Sequence, residues 1–322
     1  MTKIKWGLVG CGDISRKRVA PAINELDICE LVAVSRADVT KVESFANEFG
    51  AKRWYAEWPD LLNDDEIDAV YISTPVFLHA QQVIAAADAG KHILCEKPMA
   101  MNTNECDLMI ESCEKNNVKL GIAYYRHFYP VVNKIKEILS SGEIGKPVIA
   151  EANAFEWFER KPGEPRYWLL EKEKSGGGPM MDFGCHRIEV MQNLFGKVKE
   201  LQSQLMNLHF NREVEDTAFV SLNFENGVNG IIKVSHAAFE SRDSLDIFGT
   251  NGSIHIPVLN GEIMTVRTAN GERTEKYAPH RNVHLPSIKD FAESVINKTN
   301  PVVDGKTGKS VTEVLDKIYK NN

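Results

Sequence analysis

Five short apolar runs, Ile4 to Val9, Leu31 to Val34, Ala69 to Ser73, His92 to Cys95 and Leu120 to Ala123, alternate with segments of helical character over the first 123 residues. Runs this short read as strands, and strands separated each time by a helix run parallel, because a helical crossover returns the chain to the end of the sheet from which the previous strand started. A doubly wound parallel sheet with helices on both faces is therefore predicted. His79 to Ala89, closed by Gly90, and Thr103 to Asn116, opened by an Asn102/Glu105 capping pattern, are two of its helices. Pro21 is expected to interrupt the helix after the first strand.

The first strand runs into Gly10-Cys11-Gly12-Asp13-Ile14-Ser15, a GxGxxS form of the dinucleotide fingerprint. Gly10 permits the tight turn, Gly12 lets the backbone approach a pyrophosphate, and a small third residue lets helix and strand pack closely; Ser15 stands where glycine or alanine is usual. Gly10, Gly12, Asp13 and Ile14 are thus candidate cofactor residues. The second strand ends on Ser35-Arg36-Ala37-Asp38 rather than directly on an acid. Arg36 suits a bidentate pair with a 2′-phosphate and Ser35 a hydroxyl bond to it, so NADP is the expected cofactor. The alternative is an arginine over the adenine face or in solvent, and Asp38 keeps NAD use open.

In an open parallel sheet ligands bind beyond the carboxyl ends of the strands. Ser73, Thr74 and Pro75 end the third apolar run and join the cofactor candidates, as does His79, although capping or packing explains that histidine better than catalysis. The run Ile93 to Cys95 ends on Glu96-Lys97-Pro98, which adds Glu96 and Lys97 to the cofactor candidates and places them where chemistry is usually done; an exposed lysine in a turn is the alternative.

Past Ala123-Tyr124-Tyr125 the pattern changes, so a boundary is placed between residues 1–123 and 124–322. Val131 to Leu139 is amphipathic and closed by Ser141-Gly142. Asn226-Gly227 and Asn251-Gly252 between β-rich runs are hairpin signals, which implies an α+β domain with a largely antiparallel open sheet. Gly176-Gly177-Gly178 lets another backbone approach, and Pro179 suits a first helical turn. If Met180 to Phe195 is helical, Asp182 and His186 project from one face, as a structural pair or as catalytic groups working with Lys97.

A net charge of -7 and the lack of a long basic block argue against nucleic acid and an anionic membrane as partners. No stretch reads as a membrane span or a signal peptide, and a cytoplasmic location is expected. The six cysteines have neither paired nor ligand-like spacing, so reduced buried thiols and no metal are expected.

The GCGDI turn, the ISTP strand end with His79, KHILCEKP, and Gly176-Gly177-Gly178 followed by Asp182-Phe183-Gly184-Cys185-His186 occur in this order over nearly the whole chain. In these motifs the sequence resembles the glucose-fructose oxidoreductase/inositol dehydrogenase/MocA family. The resemblance implies a Rossmann-type domain followed by a substrate-binding and oligomerisation domain, and an NAD(P)-dependent oxidoreductase acting on a sugar, polyol or related cyclic alcohol. Lys97 matches the family's active-site lysine, with a Lys97-Pro98 bond often cis in relatives. Arg126 matches an arginine of many relatives that holds cofactor or substrate, or serves structure. Arg166 and Trp168 lie in a loop that relatives place over the active site, with an ordinary surface loop as the alternative. Lys97, Arg126, Arg166, Trp168, Asp182 and His186 are accordingly the substrate-binding candidates, and a homo-oligomer, dimer or tetramer, is expected. A family glycosidase that uses nicotinamide as a transient oxidant, or a sugar-sensing protein without catalysis, are the other readings.

Overall fold

The first apolar run forms β1 (Ile4–Val9), whose side chains are almost all buried, as a strand covered on both faces requires. The structure, a computed structural model, describes residues Lys3–Asn321. Around β1 assemble β2 (Cys29–Ser35), β3 (Arg53–Tyr55), β4 (Ala69–Ile72), β5 (His92–Cys95) and β6 (Leu120–Ile122), all parallel, in the order β3-β2-β1-β4-β5-β6. The order reverses between β1 and β4. Loops leaving neighbouring strands there diverge to opposite faces and open a crevice at their carboxyl ends, the dinucleotide position of this topology.

Pro21 does not end the helix after β1. Ser15–Val19 winds as a π-helix directly into the α-helix Ala20–Glu25, and the widened turn before Pro21, the second residue of that α-helix, accommodates the ring and the missing N–H. The capping pattern is realised at Thr103–Lys115, where Asn102 Oδ1 accepts from the Glu105 N–H at 3.0 Å.

By contacts the chain forms two compact units, one running up to Tyr125 and including Asn282–Thr312, the other comprising Arg126–Arg281 and the residues from Glu313 onward. Sequence patterning placed all of 124–322 in a second domain, whereas the helix Leu285–Ile296 belongs with the first unit. Its Ile288, Phe291 and Ala292 are buried in the same core as Trp6 and Tyr71, and the Phe291 ring lies 5.6 Å from that of Trp6. Burying one such ring contributes roughly 1.5–3 kcal/mol, a gain invisible to any local pattern.

The second unit is built on an eight-stranded sheet: β7 (Pro147–Trp157), β8 (Val198–Met206), β9 (Thr217–Phe224), β10 (Asn229–Ser235), β11 (Ala237–Gly249), β12 (Gly252–Ile256), β13 (Ile263–Thr268) and β14 (Gly271–Lys276). Its order is β14-β13-β12-β11-β7-β10-β9-β8, antiparallel except for β7 with β10. The Asn226-Gly227 hairpin joins β9 to β10 with Gly227 at φ 87°. Alternation is clear on β9, where Ala218, Val220, Leu222 and Phe224 are buried while Phe219 is exposed. Ile149, Ile231 and Phe248 are exposed with it. Among the described residues no helix is long and apolar enough to cross a membrane.

Candidate active site

In the first unit the fingerprint turn has the geometry its glycines suggest. Gly10 sits at φ 93°, and a Cβ there would lie 2.9 Å from Thr74 Cγ2 and 3.1 Å from the Ser73 backbone. Nothing lies within 4 Å of a Cβ built on Gly12, so its backbone is open to a ligand. Ser15 turns out to be a clamp: its hydroxyl lies 2.7 Å from the Gly10 carbonyl and 2.7 Å from Ser73 Oγ, which approaches the same carbonyl at 2.5 Å. An open turn at the switch point, held from behind by two hydroxyls, fits a pyrophosphate. Asp13 is exposed and paired with Lys17 at 3.0 Å, and Ile14 enters the helix half-buried.

Arg36 leaves β2 with Nη1 donating to the Cys11 carbonyl at 2.6 Å, which brings its guanidinium to the fingerprint turn. Ser35 is buried, and its carbonyl accepts the Gly10 N–H at 3.1 Å. Asp38 is engaged as the N-cap of the helix Val39–Phe49, accepting from the Lys41 N–H at 3.1 Å.

The ends of β4 and β5 are tied together by His79. Its Nε2 lies 2.9 Å from the Thr74 carbonyl and its Nδ1 3.0 Å from that of Pro98, while burial pushes its pKa down. Thr74 itself donates to Gln82 Oε1 at 2.6 Å, with Pro75 next to it at the start of the following turn. The Lys97-Pro98 bond is cis. Lys97 is half-buried rather than the exposed lysine of the alternative reading. Beneath it the Glu96 carboxylate faces inward, accepting from Tyr71 Oη at 2.7 Å and the Lys97 N–H at 3.1 Å, with His284 Nε2 at 3.4 Å. Burial opposes the Glu96 charge, but His284, Lys97 and Tyr71 outweigh it and hold the carboxyl below its ordinary range. The His284 ring in turn packs 4.4 Å from that of Tyr125.

In the second unit Asp182 and His186 are carried by one continuous helical stretch, but not by a regular α-helix. Met180–Gly184 is a π-turn leading into Cys185–Phe195, so Asp182 lies in a widened turn of the kind that recurs at functional sites. Gly178 is where another backbone approaches: a Cβ there would fall 2.0 Å from the Glu215 carbonyl oxygen. The buried Glu215 carboxylate accepts the N–H groups of Gly178 and Met180, at 2.8 and 3.1 Å, and the Tyr319 hydroxyl at 2.8 Å, which fixes the start of the helix.

Asp182 Oδ2 accepts from Arg166 Nη2 at 3.2 Å and lies 3.9 Å from His236 Nε2. Arg166 is in a left-handed conformation, φ 69°, with its guanidinium 4.7 Å from the Phe158 ring centre. Trp168 packs with Tyr167 against the small core of Phe158, Leu169, Leu170 and Val214. Arg126 and Arg187 both donate to the Asp243 carboxylate, Arg126 at 3.1 Å. His186 is buried. The structure therefore brings together Asp182 with Arg166 in this unit, and Lys97 with Glu96, Thr74 and His79 in the other.

His236, Asp243, Glu215 and His284 escape sequence reasoning, because each lies outside any motif and is defined by what packs against it. His236 is fully buried between the Phe158 and Phe183 rings, and neither ring nitrogen has a hydrogen-bond partner among the described residues. Burial drives its pKa from the ordinary 6.5 down to about 4, against the pull of Asp182. An unfolded chain then takes up the proton first as pH falls, so this contribution to stability is present above pH 6.5 and lost as pH drops towards 4. Between about pH 7 and pH 5 the loss amounts to about 2 kcal/mol. Urea unfolding of wild type and His236→Phe at both pH values should show their stability difference shifting by that amount, and an unchanged difference would refute the assignment.

All six cysteines are buried and none is in a disulfide, and among the described residues no group of three or more His, Cys, Asp or Glu side chains could hold a metal ion.

Residues 4–124 match a family model described as an oxidoreductase family with an NAD-binding Rossmann fold, and residues 132–255 match the GFO/IDH/MocA C-terminal domain. Oxidoreductase P35 of Formosa agariphila is 31% identical, over 98% of this chain and 98% of its own length. Myo-inositol 2-dehydrogenase of Thermotoga maritima is 28% identical over 95% of this chain and 92% of its own. Among solved structures, levoglucosan dehydrogenase in complex with NADH and levoglucosan shares the fold with a TM-score of 0.90 at 23% identity, covering 99% of this chain and 97% of that one.

Proposed function

The chain belongs to the glucose-fructose oxidoreductase/inositol dehydrogenase/MocA family of NAD(P)-dependent oxidoreductases acting on CH–OH groups, and from that premise we propose that its substrate is the secondary hydroxyl of a sugar, polyol or related cyclic alcohol, or the matching carbonyl. The observation carrying this is that the open Gly12 turn and the half-buried Lys97 lie at carboxyl ends of strands of one sheet.

Gly10, Gly12, Asp13 and Ile14 hold the pyrophosphate, Ser73, Thr74, Pro75 and His79 shape the path across the sheet, and Glu96 sets the backbone of Lys97. When bound, the nicotinamide supplies the hydride acceptor. Lys97 holds the reacting oxygen and stabilises the charge that develops on it. His186 takes the hydroxyl proton, and Asp182 orients the imidazole or binds a neighbouring hydroxyl. Arg126, Arg166 and Trp168 complete the substrate set. A relative named myo-inositol 2-dehydrogenase and another named D-xylose 1-dehydrogenase [NADP(+)] support a polyhydroxylated substrate. Self-association through the sheet face exposing Ile149, Phe219, Ile231 and Phe248, and a cytoplasmic location suited to reduced thiols, go with this reading.

NADP is the favoured nucleotide. Arg36 stands at the turn with its remaining N–H groups available for a 2′-phosphate, and Asp38 is spent on a helix cap. Arg36→Ala should weaken NADP binding about ten- to a hundredfold and NAD binding less than about threefold, as read by titration of each nucleotide. Equal losses for both would remove the phosphate assignment. For the reaction itself, purified protein offered NADP and NAD with inositols, aldoses and anhydrosugars should reduce the nucleotide only when a cyclic alcohol is present. Silence across that panel would end the reading.

A further inference from the structure

Strand β7 presents Ala150, Ala152 and Ala154 on its buried face, and the alternation brings that same face next to Glu156. A carboxylate following three alanines on an inward face is costly unless something uses it. Glu156 Oε1 is buried and has no hydrogen-bond partner among the described residues.

The side chain lines a cavity of about 550 Å³ within the second unit, together with Phe155, Phe183, Arg126, Arg187 and Asp243. Asp243, which pairs with Ala154 across the β7–β11 ladder, already accepts from both arginines. Phe155 and Phe183 give the wall apolar surface of the kind that carries ring C–H groups. Among these carboxylates, then, one is satisfied by the protein and one holds an acceptor in reserve. Burial pushes the Glu156 carboxyl up, Arg166 opposes this and the charge of Asp182 adds to it, so the group answers electrically to the Asp182–Arg166 pair.

We propose that Glu156 is a specificity-determining residue that accepts a hydrogen bond from a second hydroxyl of the cyclic substrate, distinct from the hydroxyl that is oxidised. The inference rests on the dehydrogenase reading above and adds to it a substrate class: ring alcohols carrying a further free hydroxyl. Of the arginines on the cavity wall, Arg126 and Arg187 donate to Asp243 and Arg242 donates to Glu240, so a neutral hydroxyl is the donor that suits Glu156.

The test takes the cyclic alcohol with the highest kcat/KM in the panel and its analogues lacking one hydroxyl at a time. Wild type should reject one analogue by about ten- to a hundredfold in kcat/KM, the usual cost of an unmet bond to a charged group. In Glu156→Ala that penalty should collapse to within about threefold, with the change carried by KM, while Glu156→Gln, which keeps one acceptor oxygen, should retain an intermediate penalty. Discrimination equal to wild type in Glu156→Ala overturns the proposal. Should the alanine variant fail to fold, as judged by circular dichroism, Glu156→Gln decides, and wild-type discrimination in it is likewise a refutation. If wild type turns over no cyclic alcohol, the parent reading falls and takes this one with it.

Discussion

Replacing Lys97 with methionine is expected to lower kcat for a cyclic alcohol by about a thousandfold while leaving the dissociation constant of the nucleotide within about threefold. Methionine keeps the length of the stem and removes the charge. The half-buried setting of Lys97 makes its ammonium worth more to a developing alkoxide than a solvated cation would be, because water screens it less. The fold around it should survive: the substitution removes the Lys97 charge near Glu96 but leaves the carboxylate its Lys97 backbone N–H, Tyr71 and His284. The separation of effects is the informative part. A general collapse would lower nucleotide binding along with turnover, whereas loss of transition-state stabilisation lowers kcat alone. Steady-state kinetics beside nucleotide fluorescence titration reads both, and near-normal turnover would show that the lysine is no part of the chemistry.

His186→Ala is expected to cost about two to four orders of magnitude in kcat/KM, the usual range for a positioned acid or base. In wild type the rate of alcohol oxidation should rise with pH as the base loses its proton, and in the variant that rise should vanish. A merely structural histidine would lower the rate and leave the pH profile in place. The double variant Lys97→Met/His186→Ala carries a second diagnosis. The proposed roles give both groups one oxygen and one step, and on that proposal their losses are strongly non-additive, so the double variant should be little worse than the weaker single variant. Multiplicative losses would mean that the two residues serve separate purposes.

Much of the fold was legible because its punctuation is local. Gly10 must take a positive φ, Asn226-Gly227 must turn, and Asn102 with Glu105 must open a helix, each for reasons contained in a few residues. The candidate residues come from equally short stretches: the turn at Gly12, the strand end at Lys97, and the helix of Asp182 and His186. What stayed hidden depends on partners remote in sequence. The three-residue β3 is too short to show a period, and Phe291 joins the core of Trp6 only through packing. Arg166 on Asp182, the stranded imidazole of His236 and the shared Asp243 follow from the tertiary fold, and the π-turn at Met180–Gly184 differs from an α-helix by a hydrogen-bond register that no spacing announces.

The most direct test follows a labelled hydrogen. A cyclic alcohol deuterated at the carbon that is oxidised, incubated with the protein and NADP, should yield reduced nucleotide carrying that deuterium on the nicotinamide ring, with slower turnover than the unlabelled alcohol where hydride transfer limits the rate. Product formed with the deuterium released to solvent or kept on the sugar, and none in the nucleotide, would contradict the account.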